Sequence, residues 1–298
     1  MKKTDEYTLY KGDCIPVMAE KMKPESCDVS IFSPPFASLY TYSSEIQDMG
    51  NSRESDDEFL LHYEFSIDPL FRVMMPGGNV CIHIADIPRL KEQHGYIGCY
   101  DLMGDVIRMM ERHGFVFYRR WTVNKNPQAQ SILHHSITLT FAAFEKNSRQ
   151  SAAALADYLL IFKKPGTHPT PVKPQATRDE WIEWANPTWY GKHESPTGIM
   201  ETDTLNKTAA RCGNDERHIC PLQLPLIERL VRLYSNPGET VFTPFMGIGS
   251  EVYVALKWKR KAIGVELKKE WFEESCKNAE RAIYERDAQG ELFPNAKE

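Results

Sequence analysis

The sequence lacks the features of a membrane, secreted or zinc-stabilised protein. Its 298 residues contain no apolar run near the roughly 20 residues that a membrane helix needs, and the polar start, Met1–Glu6, is unlike a signal peptide. The seven cysteines form no C-x-x-C pair, and Cys212, His218 and Cys220 lack a fourth ligand at zinc spacing. We therefore expect a protein of the cytoplasm, or of the nucleus in a eukaryote, with no metal and no membrane partner.

Acidic residues are scarce in one long segment. From Arg119 to Arg178 the only acidic residues are Glu145 and Asp157, whereas nine residues are basic. This segment carries a net charge of +7, so the rest of the chain carries −12 of the total of −5. A basic segment in an acidic protein indicates a face that lies against a polyanion such as DNA, although solvated surface lysines would give the same composition.

Strand-like and helix-like segments alternate along most of the chain. Short apolar or alternating runs predict strands at 7–10, 29–32, 79–85, 115–123, 157–162, 239–242 and 261–265. Apolar residues at helical spacing predict helices at 15–22, 56–74, 100–113, 221–235 and 251–258. This alternation predicts an α/β fold with a mostly parallel sheet and helices on both faces. Clustered prolines and tryptophans between Lys164 and Arg217 predict a loop-rich insertion.

A turn with two prolines follows the predicted strand at 29–32. It consists of Ser33, Pro34, Pro35 and Phe36. Each proline fixes φ and lacks an N–H, so the chain leaves the sheet as a stiff extended turn whose carbonyls have no ladder partner. Such a turn can accept hydrogen bonds from an amino group while its aromatic ring stacks on the ring that carries the amine. Taken alone, the four residues favour an ordinary Pro-Pro loop after a strand, and the functional interpretation depends on the rest of the chain.

A glycine-bearing turn follows the predicted strand at 239–242. Residues 243–250 read Thr-Pro-Phe-Met-Gly-Ile-Gly-Ser, and Glu266 ends the next strand, 17 residues after Gly249. Glycines let the backbone approach a ligand, and the acid accepts hydrogen bonds from ribose hydroxyls. A dinucleotide site would have a third glycine at Val252, where a pyrophosphate crosses the start of the helix. Valine there favours an adenosine cofactor without a pyrophosphate.

Together these motifs resemble those of the beta-class amino-group DNA methyltransferases, in which the catalytic motif precedes the cofactor motif. Residues 33–36 are similar to the family's S/D/N-P-P-Y/F, 243–250 to its D-P-F-x-G-S-G-T, and 264–266 to its G-x-E. Further matches are Gly12-Asp13 for a G-D segment near the adenine, 218–223 for an H-P-x-x-x-P lead-in, 75–78 for K-P-G-G, and 157–164 for a strand ending in two lysines. The resemblance covers nearly the whole chain outside 165–214.

The resemblance implies a Rossmann-like methyltransferase fold with a mostly parallel, seven-stranded sheet in one catalytic domain, 1–298. Residues 1–164 would form the catalytic half, 165–217 an insertion for target recognition, and 218–298 the cofactor-binding half. The implied cofactor is S-adenosyl-L-methionine and the implied partner is double-stranded DNA. A homodimer and a cognate restriction enzyme are further partners that the family admits.

The implied site residues follow from the motif matches. The catalytic residues would be Ser33, Pro34, Pro35 and Phe36. The cofactor would be bound by Asp13, Thr243, Pro244, Phe245, Gly247, Gly249, Ser250 and Glu266. The basic segment would contact DNA through Arg119, Arg120, Lys125, Lys163 and Lys164. Three positions depart from the family pattern: Thr243 replaces an aspartate, Ile248 a serine and Ser250 a threonine. The missing carboxylate leaves the cofactor contact of position 243 open.

The resemblance also bears on the product. In this family, serine at the start of the catalytic motif goes more often with methylation of cytosine N4, and aspartate with that of adenine N6. Ser33 therefore predicts N4-methylcytosine, with N6-methyladenine as the alternative. Asp86, after the strand at 79–85, is either a further substrate-side residue or a solvated aspartate.

Two interpretations from other classes stay open. A dehydrogenase is disfavoured by Val252 and by the absence of a role for the Ser-Pro-Pro-Phe turn. A catalytically silent DNA-binding protein could share the same fold, and measurement of cofactor binding would separate it from the enzyme.

Overall fold

The computed structural model describes residues 1–35, 49, 56–89, 91–127, 139–191, 198–200, 202–206 and 221–292. The strands of this part of the chain are β1 (Lys2–Lys3), β2 (Tyr7–Lys11), β3 (Cys27–Phe32), β4 (Met74–Ala85), β5 (Ile87–Arg89), β6 (Gly98–Tyr100), β7 (Val116–Val123), β8 (Asp157–Lys163), β9 (Thr188–Trp189), β10 (Thr240–Thr243) and β11 (Lys261–Glu266). Nine of them form one sheet in the order β1-β2-β11-β10-β3-β4-β8-β7-β9, while β5 and β6 pair separately.

The seven central strands of this sheet confirm the predicted fold class. The five strands β2, β11, β10, β3 and β4 are parallel to one another in that order. Strand β8 is antiparallel to both β4 and β7, so it alone among the seven runs in the opposite direction. The two-residue strands β1 and β9 extend the predicted sheet at its two edges.

Helices cover both faces of the sheet. Those of the described residues are α1 (Cys14–Pro16), α2 (Asp56–Glu64), α3 (Ile67–Val73), α4 (Lys91–His94), α5 (Leu102–Arg112), α6 (Phe141–Lys146), α7 (Arg178–Trp184), α8 (Leu224–Tyr234), α9 (Ser250–Lys257) and α10 (Lys269–Leu292). Helix α1 continues into a π-helical turn, Val17–Lys21. None of these described helices combines the length and the apolar character needed to cross a membrane.

Two hydrophobic clusters, one on each face of the sheet, form the core. The first includes Leu226 of α8, Val252 of α9 and Ala279 of α10. The second includes Leu70 of α3 and Met109 of α5. Because both faces are covered, the inner strands β3, β4, β8 and β10 are buried over most of their length rather than in alternation.

The predicted helix at 56–74 is two helices. Helix α2 ends at Glu64, and α3 begins at Ile67. The buried Ser66 lies between them, and its hydroxyl donates to the Tyr63 carbonyl at 2.6 Å. A serine that bonds to the preceding turn competes with the helical hydrogen-bond pattern, which explains the break.

The predicted loop-rich insertion contains regular structure. Thr177 and Glu180 form a capping box at the start of α7. Glu180 also accepts a hydrogen bond from Arg232 of α8 at 2.8 Å. Trp184 and Trp189 are buried beneath this contact. The first part of the insertion is therefore packed onto the sheet domain.

Candidate active site

The predicted site segments follow neighbouring strands at one edge of the sheet. Gly12 follows β2, Glu266 ends β11, Thr243 ends β10 and Ser33 follows β3. These strands are adjacent and parallel, so their carboxyl ends lie side by side. We call the side of the sheet formed by these carboxyl ends the catalytic edge; the edge strands β1 and β9 are a different feature. Ligands of open α/β sheets bind at this kind of edge.

Glu266 is fixed by three backbone hydrogen bonds. Its Oε2 accepts from the Gly247 N–H at 2.7 Å and its Oε1 from the Lys268 N–H at 2.8 Å. Its own carbonyl accepts from the Gly12 N–H at 2.9 Å. The residue is buried. The carboxylate is therefore a hydrogen-bond acceptor held in a fixed position at the end of β11.

The glycines of the turn at 243–250 have distinct roles. Gly247 has φ +52°, and a Cβ built there would meet no atom within 4 Å, so its backbone faces open space. Gly249 has φ +87°, and a Cβ there would approach Ser275 Cβ to 3.0 Å. The turn thus combines close packing against α10 with an open side next to Glu266, which a ligand can approach.

Polar atoms without partners lie in the same turn. In the described part of the chain, Thr243 Oγ1 and Ser250 Oγ are buried and form no hydrogen bond. Asp13 is engaged differently, because its Oδ1 accepts from the Ile15 N–H at 2.9 Å and caps α1. The orphaned hydroxyls, the open glycine and the fixed carboxylate fit an adenosine-type cofactor that brings its own hydrogen-bonding groups.

Phe245 anchors the turn in the core on one face of the sheet. Its ring lies edge-on to Phe32, with centroids 5.6 Å apart, and stacks with Tyr63 at 6.4 Å. Pro244, beside it, is buried. These contacts tie the cofactor turn to β3, the strand that leads into Ser33.

The catalytic turn is described for Ser33, Pro34 and Pro35, whereas Phe36 lies outside the described residues. Ser33 and Pro35 are partly exposed at the catalytic edge, and Pro34 is buried. The preceding strand is tied to β10 because the Ser30 hydroxyl donates to the Phe242 carbonyl at 3.1 Å. The two turns therefore leave adjacent strands that are rigidly joined.

A polar group that the sequence did not predict lies farther along the catalytic edge. Asp157, at the start of β8, contacts His83 Nε2 at 3.1 Å and Lys125 Nζ at 2.7 Å. Burial opposes ionisation of this carboxyl, but His83 and Lys125 outweigh burial and lower its pKa. Strand pairing brings the three residues together from distant positions, so only the shared strand ends could have indicated them.

Asp86 follows β4 at the same edge and accepts from the Met103 N–H at 3.4 Å. Burial raises the pKa of this carboxyl, and the nearby Arg120 opposes the shift. Arg120 therefore lies close to the catalytic edge, exposed on β7 with Arg119.

Two of the lysines predicted to contact DNA lie at the other ends of the strands, away from the catalytic edge. We call this side of the sheet the opposite edge. Strand β8 runs antiparallel to β4, which carries Lys163 and Lys164 away from the catalytic turn. Lys164 is buried, donates to the Met74 carbonyl at 2.9 Å and pairs with Glu25 at 3.4 Å. The charge of Lys164 is thus engaged inside the fold, and its contact with DNA stays a prediction. Lys163 lies over the Tyr118 ring at 4.0 Å, far from the catalytic edge.

Three side chains of types that can bind metal ions lie close together at this opposite edge. Single ligand atoms of Asp28, His168 and Glu239 are within 4.8 Å of one another. Asp28 accepts from the Thr240 N–H at 2.7 Å and contacts His168 at 2.9 Å. Glu239 accepts from the Asn236 side chain at 2.8 Å. These hydrogen bonds give the cluster a structural role. The sequence candidates Cys212, His218 and Cys220 lie outside the described residues.

The arrangement of these strands and helices is the Rossmann-like methyltransferase fold. Six of the seven central strands share one direction. The glycine turn after β10 and Glu266 at the end of β11 lie beside the extended turn that follows β3.

Residues 27–277 match the model of the N6_N4_Mtase family, described as DNA methylase. The match spans most of the chain, so the protein belongs to this family. The type II methyltransferase M.MjaI of Methanocaldococcus jannaschii is 26% identical over 224 residues, which cover 68% of this chain and 61% of that protein. The chain thus matches about three fifths of the length of this relative.

Solved structures share the fold. A Thermus thermophilus protein described as a DNA modification methylase, in complex with S-adenosyl-L-methionine, has a TM-score of 0.66 and 21% identity, covering 93% of this chain and 94% of that chain. The cytosine-N4-specific PvuII DNA methyltransferase has a TM-score of 0.65 and 18% identity, covering 97% of this chain and 94% of that chain. At these identities the likeness concerns the fold.

Proposed function

We propose that the protein transfers the methyl group of S-adenosyl-L-methionine to an exocyclic amino group of a base in double-stranded DNA. The observation that carries this proposal is the adjacency of two turns. The Ser-Pro-Pro turn and the glycine turn leave the neighbouring parallel strands β3 and β10. An amine held by the first turn would therefore lie beside a cofactor held by the second.

The cofactor pocket would be lined by the residues of three strand ends. Glu266 would accept hydrogen bonds from the ribose hydroxyls, and the open backbone at Gly247 would let the cofactor approach closely. Asp13, Phe245 and Ser250 would line the remaining walls. When bound, S-adenosyl-L-methionine supplies a methyl group that is already electrophilic, so no covalent enzyme intermediate is needed.

The catalytic turn would address the weak nucleophilicity of the target amine, whose lone pair is delocalised into the base. Ser33 Oγ and the Pro34 carbonyl would accept hydrogen bonds from this amine. These bonds would favour a pyramidal nitrogen and stabilise the positive charge that develops on it. Phe36 would stack on the base after the base has left the duplex.

For the target base, we propose cytosine N4 over adenine N6. A serine hydroxyl can donate and accept, so Ser33 is physically compatible with either amine. The choice of cytosine follows the resemblance, in which serine at this position goes more often with N4 methylation. The runner-up is N6 methylation by the same turn.

The decisive experiment is incubation of the protein with unmethylated duplex DNA and the cofactor, followed by digestion and mass spectrometry of the nucleosides. We expect N4-methylcytosine. N6-methyladenine alone would refute the choice of base, and 5-methylcytosine would refute the mechanism. Cofactor binding without any methylated nucleoside, on DNA of varied sequence, would favour the silent DNA-binding protein.

DNA affinity should depend on Arg120, which is exposed on β7 near Asp86, and on the neighbouring exposed Arg119, which lies over the Tyr118 ring. Reversing both charges to glutamate should weaken binding. It should also reduce the slope of log affinity against log salt by about 0.9 for each phosphate that the protein no longer neutralises. Titrations of a fluorescent duplex at several salt concentrations measure this slope.

The matched control is Lys261→Glu, which reverses an exposed charge at the start of β11 and should leave the slope unchanged. An equal effect of Lys261→Glu would indicate that only net charge matters. An unchanged slope in the arginine variant would place the DNA on another face.

A further inference from the structure

One buried carboxyl of the candidate site has no assigned role. Glu251 is the second residue of α9, directly after the glycine turn, and is only 4% exposed. In the described part of the chain, no side chain pairs with its carboxyl, and its own backbone N–H is the hydrogen-bonding group next to it. Acidic side chains are almost never this buried unless they are paired. The isolation of Glu251 therefore needs an explanation.

The neighbours of Glu251 show where its side chain lies. Val252 faces β11, because its Cγ2 would lie 3.2 Å from a Cβ at Gly264. Tyr253 faces α10, where its hydroxyl donates to Glu285 at 2.5 Å. Successive helical residues are rotated by about 100°, so Glu251 points away from α10. The proximity of its carboxyl to its own N–H places the group at the N-terminal end of α9, beside the glycine turn.

Charged groups on the packed helices do not compensate Glu251. Arg229 of α8 pairs with Glu183 at 3.5 Å and lies over the Trp189 ring at 4.8 Å. Glu285 of α10 is engaged by Tyr253 and by Lys257 at 3.1 Å. Burial without a compensating charge raises the pKa of Glu251 to about 8.

Two hydroxyl groups of the same strand–turn–helix unit are unsatisfied. Thr243 Oγ1 and Ser250 Oγ are buried and lack partners among the described residues. Hydroxyls and a carboxylate are all hydrogen-bond acceptors, and an ammonium offers three donors and no acceptor. The set therefore fits a cationic amine. Glu266, the other acid of the pocket, already accepts from two backbone N–H groups and lies at the end of β11.

We propose that Glu251 binds the α-ammonium group of the methionine part of S-adenosyl-L-methionine, and so supplies the carboxylate that position 243 lacks. This inference rests on the proposed function, because it assumes that the cofactor occupies this pocket. Relative to the family pattern, Thr243 removes a negative charge from the end of β10. Glu251 supplies a negative charge in the first turn of α9 instead. The hydroxyl oxygens of Thr243 and Ser250 accept the other hydrogen bonds that the ammonium donates.

The proposal predicts that cofactor binding releases a proton. The free carboxyl is mostly protonated at pH 7, because its pKa is about 8. A bound ammonium stabilises the ionised form, so the proton leaves to the buffer as the ion pair forms. Calorimetric titrations at pH 7 in two buffers of different ionisation enthalpy should show a net release of about half a proton to one proton per cofactor bound.

The test variant is Glu251→Gln, which keeps the shape of the side chain but cannot ionise. Its proton release should fall to near zero, and its affinity for S-adenosyl-L-methionine should fall roughly tenfold or more, as a charge-assisted hydrogen bond is lost. The matched control is Glu270→Gln, an exposed acid in the first turn of α10, which should change neither quantity.

A second ligand separates direct contact from structural damage. 5′-Methylthioadenosine has the adenosine part of the cofactor but no amino acid, so its affinity should be the same for the wild type and for Glu251→Gln. An equal loss for both ligands would overturn the proposal and assign Glu251 a structural role, as would unchanged affinity and proton release in the variant. A wild-type protein that bound neither compound would overturn the proposed function together with this inference, whereas binding of both with no proton release would overturn the inference alone.

Discussion

Ser33→Ala is expected to lower kcat by about 10²-fold or more while leaving the Kd for S-adenosyl-L-methionine within about twofold of the wild type. Ser33 lies on the catalytic turn after β3, whereas the cofactor would be held by β2, β10 and β11. Its hydrogen bond to the target amine matters most when positive charge develops on nitrogen. An interaction made mainly in the transition state affects turnover more than ground-state binding.

Single-turnover methyl transfer and calorimetric cofactor binding together test this expectation. Ser30→Ala is the matched control, because it removes a serine hydroxyl from the same strand. That hydroxyl donates to the Phe242 carbonyl inside the sheet, so its loss should lower the melting temperature without a comparable loss of kcat in the folded protein. If Ser33→Ala kept its turnover, or lost cofactor affinity in proportion to turnover, the catalytic role of Ser33 would be wrong.

The central sheet was predictable because its strands are buried on both faces. Short apolar runs such as 29–32 and 261–265 are typical of buried strands when they end at breakers or at an acid. The convergence of Gly12, Ser33, Thr243 and Glu266 follows from the same pattern, because parallel neighbouring strands end at the same edge. Local sequence therefore predicted the fold class and the strand ends that lie side by side.

The direction of β8 was not predictable from local sequence, and this direction separates Lys163 and Lys164 from the catalytic edge. In a parallel strand, Lys163 and Lys164 would have followed its carboxyl end at the catalytic edge. The antiparallel pairing of β8 with β4 places them at the other edge instead. The same pairing brings Asp157, at the start of β8, next to His83 and Lys125. A contact between residues 74 positions apart depends on strand order, which periodicity does not contain.

The helix α7 was missed because its sequence is bounded by prolines and contains exposed apolar residues. Trp181 and Ile182 are more than half exposed, so the helix shows a weak apolar stripe. Its stability comes from tertiary contacts that local sequence does not show. Arg232 of α8 lies over the Trp184 ring at 4.7 Å and binds Glu180. Tertiary packing here outweighs the composition that predicted a loop.

Glu266 is the residue whose replacement should most reduce cofactor affinity. Two charge-assisted hydrogen bonds to the ribose, each worth roughly 1.5–3 kcal/mol, would be lost in Glu266→Ala. The expected loss is therefore tenfold at the least and greater than that for Glu251→Gln. The structure adds a second cost, because the carboxylate also accepts from the N–H groups of Gly247 and Lys268. Its removal would leave both donors without this acceptor and loosen the glycine turn.

Glu266→Gln separates these two effects, because its amide oxygen can still accept from one of the N–H groups. We expect this variant to retain a melting temperature nearer to that of the wild type than Glu266→Ala does, but to lose affinity for S-adenosyl-L-methionine and for 5′-methylthioadenosine alike. Both ligands contain the ribose, so the parallel loss would distinguish Glu266 from Glu251, at which only the amino acid part should matter. Calorimetry of the two variants with the two ligands measures this pattern. Unchanged affinity in Glu266→Ala would show that the ribose does not lie at the end of β11, and the cofactor would then have to bind elsewhere along the catalytic edge.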